Sequence, residues 1–217
     1  MLGLGNSLVG GSPTEGPFSV YSGSFDGTAD FVLLPEVSAL KPTAALSISL
    51  WAKPNAWDMT NGGNVDYFIG CVSSGGWGIR MSNSGGQVTK IEFLVRVDDS
   101  GSGSAGYLVA NVNEATTEAL TDWNHIAATY DGTTAKLYIN AGTTGVTNAT
   151  SAAGASIVYH AANSTPIMLG ADAANDTTGS DFYHGLLDDV AIFDAALTAG
   201  NISTIYNGGV PNNISGM

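Results

Sequence analysis

Basic residues are scarce: six Lys and Arg stand against 19 Asp and Glu, for a net charge of −13. A surface of that sign repels phosphate backbones and anionic lipid headgroups, so neither nucleic acid nor membrane is an expected partner. The same acidic excess suits cation binding, and equally suits plain solubility. Cysteine is limited to Cys71, in the apolar run "DYFIGCV". An intrachain disulfide is thereby excluded. With no His or Asp beside it in sequence, Cys71 reads as a buried core thiol. No apolar run approaches the length of a membrane-spanning helix. The N-terminal stretch "MLGLGNSLVGGSPTEG" has neither a basic region nor an apolar core of signal-peptide type. Synthesis in a cytosol without a secretion signal is expected. The glycosylation sequons at Asn148, Asn163, Asn175, Asn201 and Asn213 carry little weight for that reason. Long helical segments rich in Ala, Glu, Lys and Leu are missing too, and only 12% of residues are charged.

What remains is a β pattern. Short runs of Val, Ile, Phe and Tyr alternate with clusters of Gly, Ser, Asn and Asp, as in a sandwich or barrel. Residues 1–17 are Gly/Ser/Pro-rich and read as an arm, and 18–217 read as one domain large enough for a sizeable core. "LSISLWAK" at 46–53 places Leu46, Ile48, Leu50 and Ala52 on one face, and "VTKIEFLVRV" places Ile91, Phe93, Val95 and Val97 inward. "WNHIAATYDGTTAKLYIN" at 123–140 reads as a hairpin turning at "DGTT". One short helix is expected at about 198–207. Thr198 is its N-cap, Leu197 and Ile202 form a hydrophobic staple, and Gly208 is its stop. Asn201 stands where a full capping box has Glu.

Three stretches together resemble one family. They are "SFDGTADFV" at 24–32, "WNHIAATYDGTTAKLYIN" at 123–140, and "GLLDDVAIFDAALTAGNISTIYNGG" at 185–209. As a set they are similar to laminin-G-like domains of the concanavalin A-like superfamily. The resemblance implies an all-β, two-sheet antiparallel jelly-roll sandwich with an N-terminal arm and one short C-terminal helix. The closing "IYNGGVPNNIS" and the opening "LGLGNSLVGG" are similar to laminin-G-like proteins encoded by bacteriophages. That implies a non-catalytic structural or adhesive virion protein: a capsid decoration, head fibre or tail component. The arm would anchor it. Its partners would be further copies of itself or a phage capsid or tail protein, and its location the virion. The alternative is a lectin-like carbohydrate-binding module that recognises cell-surface glycan.

Catalysis finds little support in the residues. Glycoside hydrolases of this fold carry Glu-x-Asp-x-x-Glu on one strand, and retention needs carboxyls roughly 5–5.5 Å apart. Glu92 stands alone, and Glu114 and Glu118 are four apart, wrong for one strand face. A Gly-x-Ser-x-Gly elbow is absent, and "GLGNSLVGG" misses Gly-x-Gly-x-x-Gly at Leu8. His125 reads as framework, and His160 and His184 as loop or strand-edge residues. Trp51 and Trp123 read as core packing. Trp57, in "NAWDMTNGG", is the ligand candidate. In "LLDDVAIF", Asp188 shares strand parity with Val190 and Ile192 and is expected to face inward, with Asp189 solvated. An inward carboxylate needs a cation, N–H donors or a proton. The resemblance implies a structural Ca²⁺ at the sandwich rim, held by Asp188 and Asp26, with Asp30 as a further candidate; N–H donation to Asp188 without metal is the competing reading. Asp172, Asp176 and Asp181 form a second acid-rich loop that reads as solvated or as a calcium wrap.

Overall fold

The computed structural model describes residues 21–55, 65–72, 75–84, 87–98, 106–113, 122–144, 146–159, 166–173 and 178–209. The arm at 1–17, Trp57, Glu114, Glu118, His160 and Asp176 lie outside the described residues. In chain order the strands are β1 (Gly23–Asp26), β2 (Val32–Leu33), β3 (Leu46–Pro54), β4 (Val65–Gly70), β5 (Trp77–Ser84), β6 (Gln87–Asp98), β7 (Gly106–Asn113) and β8 (Asn124–Tyr130). They continue as β9 (Thr134–Ile139), β10 (Val146–Thr147), β11 (Ala149–Thr150), β12 (Ser156–Ile157), β13 (Met168–Leu169), β14 (Asp172–Ala173), β15 (Gly179–Ser180) and β16 (His184–Phe193). The helix α1 (Ala199–Tyr206) follows.

Two main antiparallel sheets result, and β14 and β15 pair separately as a two-stranded ribbon. One runs β1-β16-β3-β8-β9-β11 and the other β10-β7-β6-β5-β4-β13-β2, with β12 added beside β6. The expected jelly-roll sandwich is what the chain builds. Its core lies between the sheets because alternate residues point to one face of each strand. Leu46, Ile48, Leu50 and Ala52 meet Ile91, Phe93, Val95 and Val97 there, as their spacing predicts. Trp77 and Phe68 are also fully buried in this core. Cys71 is completely buried, and burial pushes its thiol up to about 12. It is an inert packing thiol.

The β8–β9 hairpin turns where the "DGTT" signal places it. Asp131 Oδ1 accepts the amides of Thr133 at 3.0 Å and Thr134 at 2.7 Å. Gly132 between them sits at φ +86°, a conformation costly to any residue with a Cβ.

Helix α1 starts as its caps predict. Thr198 Oγ1 accepts the Asn201 amide at 3.1 Å, and Asn201 Oδ1 accepts the Thr198 amide at 3.1 Å. Asn201 therefore completes the capping box that its sequence position left open. The left-handed stop is Asn207 (φ +47°), one residue before the expected Gly208. The helix lies on the outer face of the six-stranded sheet. Ile202 packs on Ala127 and Tyr138, and Ile205 on Ala191 and Phe193. Each buried isoleucine contributes about 1.5–3 kcal/mol. Among the described residues no helix is long and apolar enough to cross a membrane.

One expectation about β16 is overturned. Asp188 pairs with Trp51, but the next partners in register are Ala191 and Ser49, so β16 carries one extra residue there. Asp189 sits in this bulge at φ +44°. The insertion reverses parity. Leu187, Val190 and Ile192 all reach the core, while Asp188 stays on the outer face beside Trp51. Asp188 Oδ1 accepts the Asp189 amide at 2.8 Å. Asp189, expected to be solvated, is half-buried, and its Oδ2 is buried with no hydrogen-bond partner. Burial, then the neighbouring Asp188 charge, pushes its carboxyl up to about 6.

Candidate functional site

The residues singled out for calcium do not converge. Asp26 stands opposite His184 at one end of the β1–β16 pair, four residues along β16 from Asp188. At roughly 3.3 Å per residue, that separates the two by about 13 Å. The Asp26 carboxylate is already engaged: Oδ1 accepts the amides of Thr28, Ala29 and Asp30 at 2.7, 3.0 and 3.3 Å. Those amides, Ala29 and Thr28 first, hold its carboxyl below the usual value. Asp30 closes the turn by accepting the Asp26 amide at 3.1 Å. "FDGTAD" is thus a self-satisfied turn. Among the described residues no three His, Cys, Asp or Glu side chains gather as metal ligands. Asp26 and Asp188 do not fit a shared ion.

The second acid-rich loop divides its acids among structural tasks. Asp172 Oδ1 accepts the Val72 amide at 2.7 Å. The Asp181 carbonyl accepts the Tyr67 amide at 3.0 Å, and its Oδ2 accepts the Ser180 hydroxyl at 3.0 Å. Asp66, deeply buried nearby, has its carboxyl pushed up to about 6 by burial and then by Asp181.

His125 is framework, as its sequence context suggests. Its Nε2 and Ser49 Oγ share a 2.8 Å hydrogen bond, and both residues are buried on the outer face of the six-stranded sheet. Trp51 and Tyr206 flank the imidazole, with centroids 5.5 and 5.9 Å away, and stack on each other at 5.9 Å. Burial pushes the imidazole down to about 4. A Ser–His pair invites a nucleophilic reading. Here the pair is sealed, and Nδ1 meets no carboxylate to orient it. Trp51, as expected, is a packing residue, 5% exposed.

A different constellation occupies the outer face of the eight-stranded sheet. Register aligns Asn111 with Glu92, Glu92 with Arg80, and Arg80 with Tyr67, one row across four strands. Arg80 Nη2 and Nε each lie 2.8 Å from Glu92 Oε2, and its Nη1 donates to the Tyr67 hydroxyl at 3.0 Å. The guanidinium also lies 5.6 Å from the Tyr67 ring centroid. The next row is Val109, Leu94, Gly78 and Gly70. A Cβ on Gly70 would stand 2.7 Å from the Tyr67 ring, and one on Gly78 3.0 Å from it, so the glycines make room for that ring. Beyond them Tyr107 stands opposite Arg96. The Tyr107 hydroxyl donates to the Val72 carbonyl at 2.5 Å, in the loop between β4 and β5, so the side chain reaches from β7 across β6. Tyr107 is 40% exposed. Burial raises its phenol, and the Arg96 charge works against that rise.

This face was not foreseen. The alternation of polar Arg80, Glu92 and Arg96 with core residues was visible, but strand pairing alone turns it into rows.

Residues 26–203 match the Laminin G 3 family, described as the concanavalin A-like lectin/glucanases superfamily. The chain belongs to that family. Curated protein sequences offer no significant match. Several solved structures share the fold. A heptameric SAP-like pentraxin from Limulus polyphemus superposes with a TM-score of 0.55 at 17% identity, covering 84% of this chain and 80% of its own. Domain 4 of AbnA, an extracellular arabinanase from Geobacillus stearothermophilus solved with arabinotriose, gives 0.52 at 18% identity, covering 85% and 76%. The LG4-5 domains of the mouse laminin α1 chain give 0.50 at 14% identity, covering 82% and 44%. At such identities the likeness is one of fold.

Proposed function

Starting from that family membership, we propose that the chain is a non-catalytic binding module that takes a saccharide on the outer face of its eight-stranded sheet. The observation that carries this is Tyr107: an exposed aromatic residue tied by its hydroxyl across the sheet, directly opposite Arg96. An exposed aromatic ring offers a stacking surface to a pyranose, and a neighbouring guanidinium can add directional hydrogen bonds. The solved arabinotriose complex of a domain with this fold supports a saccharide as ligand class. The non-catalytic character is supported by the pairing of Glu92 with Arg80 and by the sealing of Ser49 and His125. Glycan-array screening of wild type and Tyr107→Ala tests it. Hits that vanish in the variant are expected; retention of every hit would remove this face as the site.

The setting we propose is a bacteriophage particle, with residues 1–17 anchoring the domain to another copy or to a capsid or tail protein. The sequence resemblance supports it. A second support is local: Val32, Leu33 and Val37 are exposed and apolar, on or shortly after the edge strand β2, and Tyr21, four residues past the arm in sequence, is exposed as well. Such a set is the kind of surface a partner covers. Deleting residues 1–17 is expected to leave the sandwich folded and abolish incorporation into particles. Normal incorporation would overturn the anchoring role.

A further inference from the structure

The face beneath α1 holds a titratable group that the saccharide reading does not use. His125 is wholly buried, with Nε2 bonded to Ser49 Oγ at 2.8 Å and Nδ1 buried without a partner. A neutral ring tolerates that arrangement. A protonated ring would add a positive charge and a second N–H donor that meets no acceptor. The described groups around it do not offset that charge. On β3 its neighbours are Ser49 and Trp51, and Lys53, two residues further along, pairs with Asp122 at 3.6 Å. On β16, Asp188 and the bulged Asp189 lie beyond β3, two strand spacings or about 10 Å away. Asn140, at the end of β9, turns its Oδ1 to the His125 amide at 3.0 Å, and Tyr138 follows along that strand. Helix α1, "AGNISTIY", brings Tyr206 and no charged side chain.

The ring can reach water by two routes. Opening the sheet would break the ladders that join β8 to β3 and to β9. Lifting α1 would break neither. The helix has eight residues, too few to be stable alone. Its hold on the face rests on Ile202, Ile205 and the Tyr206 ring against Trp51 and His125. The cover is therefore the weaker barrier.

We infer that α1 is an acid-released cover: protonation of His125 lifts the helix and uncovers Trp51, Tyr138 and Phe193 while the sandwich stays folded. With α1 lifted, the imidazole regains its ordinary value of 6.5, against about 4 beneath the helix. The open form takes the proton first, so opening becomes easier as pH falls from about 6.5 towards 4. At pH 5 this difference favours opening about 30-fold over pH 7.5.

Hydrogen exchange of the full chain, corrected for the intrinsic pH dependence of amide exchange, tests this. Between pH 7.5 and pH 5 the amides of Ile202 and Ile205 are expected to lose protection about 30-fold, with those of β3 and β8 unchanged. Equal loss in helix and strands would mean global unfolding and overturn the inference. Unchanged protection of the helix would overturn it as well. His125→Gln keeps a neutral partner for Ser49 and is expected to hold α1 protection level across the same range. The full loss in that variant would assign the acid response to another group and overturn the role of His125. The wild-type comparison of helix with strands decides the matter even where the variant does not fold.

Discussion

The two outer faces of the sandwich are built from the same kind of strand but put to different use. On the six-stranded sheet, the outward positions include Ala127, Tyr138, Ala191 and Phe193, and α1 covers them with Ile202 and Ile205. On the eight-stranded sheet the outward positions include Asn111, Glu92, Arg80, Arg96 and Tyr107. One face is finished with apolar surface and a helix; the other is finished with charge pairs and an exposed ring. The difference teaches where function resides. A covered face contributes stability and leaves no room for a ligand, and a polar face contributes little stability and remains free to recognise one.

The largest expected effect breaks the covered side. Ile202→Ala removes the contact with Ala127 and Tyr138 and is expected to cost about 3 kcal/mol in denaturant unfolding. A loss under about 1 kcal/mol would mean that α1 is ornament and the two faces are alike. The next effect, also of order 3 kcal/mol, concerns pH. His125 is held neutral in the fold, with its value depressed from 6.5 to about 4. The unfolded chain therefore binds a proton first, and stability is lost as pH falls from about 6.5 through 4. His125→Gln is expected to flatten this acid limb in a pH series of unfolding curves; parallel curves for variant and wild type would exonerate the imidazole.

On the polar side, Arg80→Ala leaves the buried Glu92 carboxylate without its partner and is expected to cost about 2 kcal/mol. The double variant with Glu92→Gln removes the unpaired charge and should recover part of that loss, as a double-mutant cycle would show. A smaller effect separates Asp189 from its neighbour. Its folded value is raised from 3.8 to about 6, so the folded state holds the proton more tightly and stability declines as pH rises from about 4 to 6. Asp189→Asn keeps a residue tolerant of positive φ and removes the charge. After allowance for solvent screening it is expected to stabilise the fold by about 1 kcal/mol at pH 7 and by nothing at pH 3. Last comes an expected zero. With Asp26 and Asp188 far apart and each satisfied by amides, EDTA or added Ca²⁺ should leave the melting temperature unchanged. A rise with Ca²⁺ that disappears in Asp26→Asn or Asp188→Asn would restore a metal to the rim.

Much of the fold was legible before the structure. The inward faces of β3 and β6, the "DGTT" hairpin and the Thr198 cap all follow from local rules: period-two alternation, an Asp-Gly turn, and a side chain that satisfies helix N–H groups. Asp188 was misread because alternation was carried through a bulge. Whether a strand takes an extra residue depends on how β16 aligns with β3, and Asp189 pays for it with a positive φ. The polar row on the eight-stranded sheet was not foreseen for a related reason. Glu92 looked solitary in "TKIEFLV", yet register sets it between Arg80 and Asn111.

The sequence by itself therefore determined the elements, which residues most of them bury, and the acidic balance of the chain. Backbone geometry and side-chain polarity act over a few residues, so those features are written locally. Tertiary structure alone decided which outer face is covered, where parity reverses, and which distant polar residues share a row. Those depend on strand pairing across long stretches of chain, where the free energy of the whole sandwich selects the register.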